Sequence, residues 1–560
     1  MNPNTPYPMT RKFPMTGRTL YTNATIFTAD GTTAEAFVVE GTRFRFVGTE
    51  SDALRAAGAD ADVVDLAGAF VLPGFVDAHT HLLMMGQAVQ KVALRDASDL
   101  SEIQQRLRKA AAENPQSPRI LGTGWLYPAL GGAAPVRQML DEAVSDRPVY
   151  LDANDLHSVW VNSAALAELG INDATPDPIG GRISRDPLTG KADGMLYETA
   201  AQQIVWPALA RAATAADRDA NLESAFEHYI STGVTSAVDM AVQEDDVDAF
   251  KRALDRHQGI LPLRVKGHWL VSRRETGQEN LAQVARAANL AAELSGPWLQ
   301  ICGIKIVIDG VIDSCTAAMK EPYSDGSHCE PIWDRESLFP VVVAADAAGL
   351  QIALHAIGDE ASDIALDALE EAHRINGPKD RRHRIEHLET VTEANVRRLA
   401  ALGVVASVQP VHADPAIQDN WQAMLGDDRV ARAYPWTEFL AAGATLALST
   451  DAPTAPHQPL PNMYIATTRK SALDPSLPPN RPDYALSLAD ALCHGTRDAA
   501  YSCRAEDREG RIVPGNFADF SVLETDPLRA NPEQLLTNRT CLTVVGGRVA
   551  FDARTTVATP

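Results

Sequence analysis

The segment Asp77-Ala78-His79-Thr80-His81 closes an apolar run and sets two histidines two positions apart. In a strand, residues i and i+2 face the same side, so His79 and His81 can converge on one cavity. Two imidazoles meeting at a point supply half of a metal site; two satisfied histidines at a strand end are the plainer reading. Three later residues repeat the placement: His355 closes LQIALHAIGD, His387 closes RHRIEHLE, and Asp451 closes ATLALSTD. Each alone also reads blandly, the histidines as core residues and Asp451 as a helix N-cap. Four histidines and one carboxylate at the ends of four apolar runs point together to a metal centre. Lys305, inside the apolar run GIKIVIDGVIDS, is the sixth member. A lysine there carries a large desolvation cost unless it is neutral or paired. Asp309, of the same strand parity, is one available partner. The other reading is a neutral amine that captures carbon dioxide as a carbamate, an anion able to bridge two metals.

Further residues have weaker claims. Trp125 and Tyr127, in GTGWLYPALGG, would wall an apolar pocket or fill a core. Tyr323, in KEPYSD, follows the Lys305 run and could line the mouth of a site, and His268 ends LPLRVKGHWL facing the same way. His383 and Arg384 read as structural, and His328, His412 and His457 as loop histidines without supporting context. No G-x-x-x-x-G-K-[ST] phosphate loop, strand-linked G-x-G-x-x-G or G-x-S-x-G elbow occurs, which argues against nucleotide triphosphates, dinucleotide redox chemistry and serine catalysis.

The elements that must position these residues are legible as a βα rhythm. Candidate strands are 69–79, 233–240, 261–270, 301–309, 350–358, 382–389, 404–410 and 444–452, eight in all. Between them Leu222, Ala225, Phe226, Tyr229 and Ile230 keep helical spacing and stop at Gly233; Val396, Leu399 and Leu402 follow a Thr392 cap and stop at Gly403. Residues 83–217 are too many for one connection and carry their own helix (Leu100, Ile103, Leu107, Ala110, Ala111) and the strand-like RPVYLDA, so they read as an insertion domain. Both ends of the chain are rich in short β runs and turns, which suggests a β-domain assembled from residues 1–70 and 510–560 around a central 71–509.

At 560 residues the chain exceeds a single small module. Its formal charge of −23 disfavours nucleic acid and anionic membrane surfaces as partners. Six cysteines without a CxxC pair suggest neither a disulfide framework nor a zinc ribbon. The polar, proline-broken first twenty residues show no signal peptide, and no 18-residue apolar run follows, so the expected location is a reducing cytoplasm.

In order along the chain, GFVDAHTH, KIVIDGVIDSCTAAMKEPYSD, HAIGD, RIEHLE and STDAP resemble the amidohydrolase superfamily, and within it the YtcJ-like branch that includes N-substituted formamide deformylases. The resemblance covers essentially the whole chain. It implies a (β/α)8 TIM-type barrel with a discontinuous β-sandwich domain and an insertion after the first barrel strand. It also implies that His79, His81 and Asp451 bind one metal and His355 and His387 a second, with carboxylated Lys305 bridging. A His-rich site with a carboxylate suits zinc, one or two ions per chain, while manganese, iron, cobalt and nickel accept the same ligand types. His157, in YLDANDLHSVWVNSAAL, lies in a segment similar to one in such relatives and would reach the substrate carbonyl, or else bond within the insertion.

The chemistry expected is metal-assisted hydrolysis of a C–N bond in a small amide-like molecule. A divalent ion lowers the pKa of bound water towards 7 and polarises a carbonyl, while Asp451 shuttles the proton. A cyclic amide, carbamate, ester or lactone is the alternative substrate class. A barrel without activity, used for assembly, would have lost ligands, whereas all six positions are filled here. Dimerisation is common for such barrels, and a homodimer is a plausible assembly.

Overall fold

Eight parallel strands form one sheet in strict chain order: β1 (Phe75–Thr80), β2 (Val234–Val242), β3 (Arg264–Leu270), β4 (Leu299–Val307), β5 (Gln351–Ala356), β6 (Arg384–His387), β7 (Val405–Val408) and β8 (Leu446–Leu448). A computed structural model describes residues 17–153, 158–178, 181–198, 200–313, 315–418 and 421–556. The sheet curls until β1 and β8 meet at their C-terminal ends, where the Asp451 N–H donates to His79 O at 2.8 Å and the His81 N–H to Ala452 O at 2.9 Å. These bonds bring the ends of an all-parallel sheet together, the arrangement of a TIM-type barrel.

The helices between strands start where the local chemistry supplies a cap. Thr392 opens Glu393–Ala401 and Thr276 opens Gly277–Glu293, each in a capping box, with Asn395 and Glu279 answering. Helix Glu244–Arg256 buries Val247, Ala249, Phe250 and Ala253, one apolar stripe at helical spacing.

The run 69–79 is not one strand. Phe70–Pro73 pairs antiparallel with Phe520–Leu523 in a terminal sheet, and only Phe75–Thr80 enters the barrel. Gly74 marks the handover, because a Cβ there would lie 2.2 Å from the Thr235 side chain. The terminal strands, from residues 18–73 and 520–552, build a four-stranded and a six-stranded sheet. Tyr21 and Phe37 of one sheet meet Phe520 of the other at ring distances of 5.0 and 4.9 Å, so the two ends of the chain share one core.

Residues Leu83–Ala225 form a separate compact unit, ending later than the 217 read from the sequence, inside helix Ala215–Ser231. Its six-stranded sheet is covered by helix Leu100–Glu113, whose Ile103 and Leu107 pack with Trp125 and Trp160. Among the described residues no helix is long and apolar enough to cross a membrane.

Candidate metal centre

The barrel brings His79, His81, His355, His387 and Asp451 together at the C-terminal ends of β1, β5, β6 and β8. Ring centres are 5.6 Å apart for His79 and His81, 5.0 Å for His79 and His387, and 4.4 Å for His355 and His387. Asp451 Oδ1 lies 3.3 Å from His79 Nε2 and 3.1 Å from His81 Nε2. Lys305, buried on β4, is close enough for its charge to act on all four histidines.

The layer behind these groups fixes how they present themselves. Glu386 Oε2 accepts from His79 Nδ1 at 2.8 Å and is gripped by the buried Arg384, which also reaches Ala78 O at 2.8 Å and Ser407 Oγ at 2.6 Å. Burial opposes the charge on Glu386, but Arg384 and then His79 hold its carboxyl well below the usual range. An ionised Glu386 can only accept, so His79 donates from Nδ1 and turns the Nε2 lone pair towards Asp451. His387 is set in the same way. Gln409 donates its amide to Ser449 Oγ at 2.9 Å, so its carbonyl accepts from His387 Nδ1 at 2.9 Å, leaving Nε2 bare. Asp77 ties β1 to β8 through the Thr450 N–H at 3.0 Å and hydroxyl at 2.5 Å, and also accepts the Tyr229 hydroxyl at 2.9 Å.

Two of these side chains sit on left-handed backbone. His387 has φ +78° and Asp451 φ +57°, a conformation that costs a non-glycine residue about 1–3 kcal/mol and gathers at functional sites.

Burial, with the Lys305 charge behind it, drives the pKa of His79 down to about 4 and of His355 to about 3. His387 goes well below its usual value, burial first and the His355 charge second. Burial also pushes the Lys305 ammonium down to about 8, with Glu386 and Asp451 opposing. His81 moves the other way, because the Asp451 carboxylate outweighs its burial.

The donor set fits a divalent ion. His79, His387 and Asp451 each offer one ligand atom, all within 4.8 Å of one another. Among the described residues, Asp451 Oδ1 and His81 Nδ1 are buried without a hydrogen-bond partner. His79 Nε2 and His81 Nε2 both stand at ion-pair distance from Asp451 Oδ1. A buried carboxylate oxygen left in that state is costly, and a cation among these nitrogens would satisfy it.

Other residues singled out in the sequence take different places. Asp309 is not the partner of Lys305: its carboxylate accepts the N–H groups of Ala318 at 3.0 Å, Ile357 at 3.1 Å and Gly358 at 2.8 Å, stitching the loops after β4 and β5. His268 does not reach the open face. It is fully buried and bonds Gln351 Oε1 at 3.1 Å, at the first residue of β5, low in the barrel. Tyr323 does not line a mouth, being buried with its hydroxyl on Ala317 O at 2.9 Å. Trp125 lies in the core of the second unit, with its indole N–H on Leu151 O at 3.2 Å, a packing residue rather than a pocket wall. His157 lies outside the described residues.

Sequence reasoning missed Glu386, Gln409, Glu389 and His412. His412 Nδ1 stands 3.2 Å from Glu389 Oε1, its Nε2 3.7 Å from Asp451 Oδ2, and its ring is parallel to His387 at 5.9 Å. The acidic residues flanking His387 in RIEHLE were the available signal for the first and third.

A family model described as "Amidohydrolase family" matches residues 62–551. Protein LONG AFTER FAR-RED 3 of Arabidopsis thaliana is 32% identical over 481 residues, 81% of this chain and 78% of that protein. N-substituted formamide deformylase of Arthrobacter pascens is 27% identical over 509 residues, 86% of this chain and 88% of that protein. An uncharacterized metal-dependent hydrolase from Pyrococcus furiosus superposes with a TM-score of 0.74 at 29% identity, over 91% of this chain and 100% of that one.

Proposed function

The chain belongs to the amidohydrolase family, and from that premise we propose that it hydrolyses the C–N bond of a small N-substituted amide, N-substituted formamides being the first candidates. As a class it is a metal-dependent hydrolase acting on carbon–nitrogen bonds. The observation that carries the reading is Asp451, a buried carboxylate beside the Nε2 atoms of His79 and His81 at the C-terminal end of the barrel strands. The formamide preference rests on the deformylase relative alone.

In this reading His79, His81 and Asp451 would hold one zinc ion and His355 and His387 a second. Lys305 would be a further ligand as a carbamate, its neutral amine bonding the carbon of carbon dioxide and releasing one proton to solvent. The ions, when bound, acidify water and polarise the substrate carbonyl. The remaining work belongs to side chains. Asp451 takes the proton of the attacking water and hands it to the departing nitrogen. Glu386 and Gln409 keep His79 and His387 in single orientations throughout.

The test is a panel of N-substituted formamides, acetamides, a cyclic amide, a carbamate, esters and a lactone, with amine or alcohol release assayed and metal counted by mass spectrometry. Formamides should release amine fastest, on one or two equivalents of a divalent transition metal. Turnover of esters with none of amides would overturn the reading.

A further inference from the structure

We propose that His412 is a catalytic residue that donates a hydrogen bond from Nε2 to the substrate's carbonyl oxygen as negative charge develops there, with Glu389 as its positioning residue. The inference rests on the reading that a carbonyl compound is hydrolysed at this site.

Exposure locates the open side. The side chains of His79, Glu389 and Asp451 are 1%, 6% and 8% exposed, while those of His355, His412 and His81 reach 13%, 17% and 19%. His412 therefore stands beside Asp451 on the more exposed rim of the cluster, together with His81 and His355. It comes from the short turn Pro410–Ala413 after β7, and that turn is fastened: the Tyr434 hydroxyl donates to His412 O at 3.0 Å and the His412 N–H to Gln409 O at 3.0 Å.

The ring's hydrogen-bond partners decide what it can offer. Nδ1 faces Glu389 Oε1 at 3.2 Å, a buried carboxylate that accepts. Nε2 faces Thr454 Oγ1 at 3.3 Å and Asp451 Oδ2 at 3.7 Å. The single proton of the Thr454 hydroxyl goes to Asp451 O at 2.6 Å, so towards His412 that oxygen also accepts. Both described neighbours of Nε2 therefore accept, and donation is the role they leave to that nitrogen. The contacts of Nε2 are long, so a carbonyl oxygen entering beside Asp451 could take its hydrogen bond at a shorter distance. A donor already aimed at the place where an oxyanion forms needs no reorganisation when it forms.

A competing role exists, because His387, Glu389 and His412 also place one ligand atom each within 4.8 Å of one another, so His412 could instead ligate a cation. The experiment separates the two. Wild type, His412→Ala and Glu389→Gln are compared on an N-substituted formamide and on its thioformamide, whose sulfur is a poorer acceptor, with metal content and thermal midpoint measured alongside. For His412→Ala, kcat on the oxygen substrate should fall on the order of 100-fold, the loss found for one oxyanion donor. KM and metal content should change little, and the loss on the thio substrate should be clearly smaller. Glu389→Gln should lose on the order of tenfold, as supporting residues do. Equal losses on both substrates would assign His412 a purely structural role. Loss of metal in step with activity would make it a ligand, and a fall under about threefold would remove it from catalysis; each of these overturns the proposal. If wild type cleaves only esters, the substrate reading fails separately, and the same comparison is run on an ester and its thionoester.

Discussion

Glu386 stands between Arg384 and His79 and settles which nitrogen of His79 faces the cluster. Its role is separable from that of Asp451. Glu386→Gln removes the charge that fixes the His79 tautomer, so metal affinity should fall about 10–100-fold, measured by competition with a chelator, while excess metal restores much of kcat. Asp451→Asn removes the proton carrier itself and should lower kcat by about 10²–10⁴ even at saturating metal. If excess metal rescued both variants equally, the division of labour would be wrong. The difference between the two residues also explains what could be read in advance. His79, His81, His355, His387 and Asp451 were legible because each closes an apolar strand. Glu386 and His387 are adjacent, so simple alternation would send them to opposite faces. The φ of +78° at His387 breaks that alternation, and both act on one cluster. His412 lies on a turn, where no periodicity states which way a side chain points.

Strand β4 shows how tightly the elements constrain the site. Lys305 is two residues past Gly303, and a Cβ on Gly303 would lie 2.1 Å from Gln351 O and 2.7 Å from the His268 ring. Gly303→Ala must therefore push β4 from β5 or displace His268, at a cost of about 1–3 kcal/mol or more. Gly277, the first residue of helix Gly277–Glu293, has open space around its missing Cβ. Gly277→Ala should be neutral or stabilise by about 0.4–1 kcal/mol. Urea unfolding of the two variants checks this, and similar midpoints for both would contradict the packing argument. At this scale the eight barrel strands, the Thr392 cap and the stops at Gly233 and Gly403 were legible because buried parallel strands and capped amphipathic helices leave strong local patterns. The division of 69–79 between two sheets was not. Phe70–Pro73 and Phe75–Thr80 are both buried throughout, and the close approach of Thr235 that requires Gly74 at the break is a tertiary contact.

The barrel and the terminal sheets are joined by buried charge, a feature that composition could not disclose. Arg264 and Lys266 of β3 turn to Asp519 and Glu509 of the C-terminal segment, each pair at 2.7 Å with all four side chains under 5% exposed. Lys266 also donates to Ser236 Oγ at 2.6 Å, and Ser521 Oγ of the terminal sheet donates to Gly233 O at 2.7 Å. Burial disfavours charge on Glu509, yet Lys266 and then Arg264 hold its pKa below the ordinary 4.5. The pair's contribution is therefore present above about 4.5 and is lost as the pH falls through the lowered value. Removing one partner leaves the other as an uncompensated buried charge. Glu509→Gln should accordingly cost about 3–5 kcal/mol at neutral pH, whereas Lys266→Met with Glu509→Leu, which removes both charges, should recover most of that loss. Because the pairs bridge the two parts, barrel and terminal sheets should unfold in one transition, monitored by tryptophan fluorescence and far-ultraviolet dichroism. A Glu509→Gln loss below about 1 kcal/mol, or a double variant worse than the single, would show that the pair is neither as dry nor as coupled as its geometry requires.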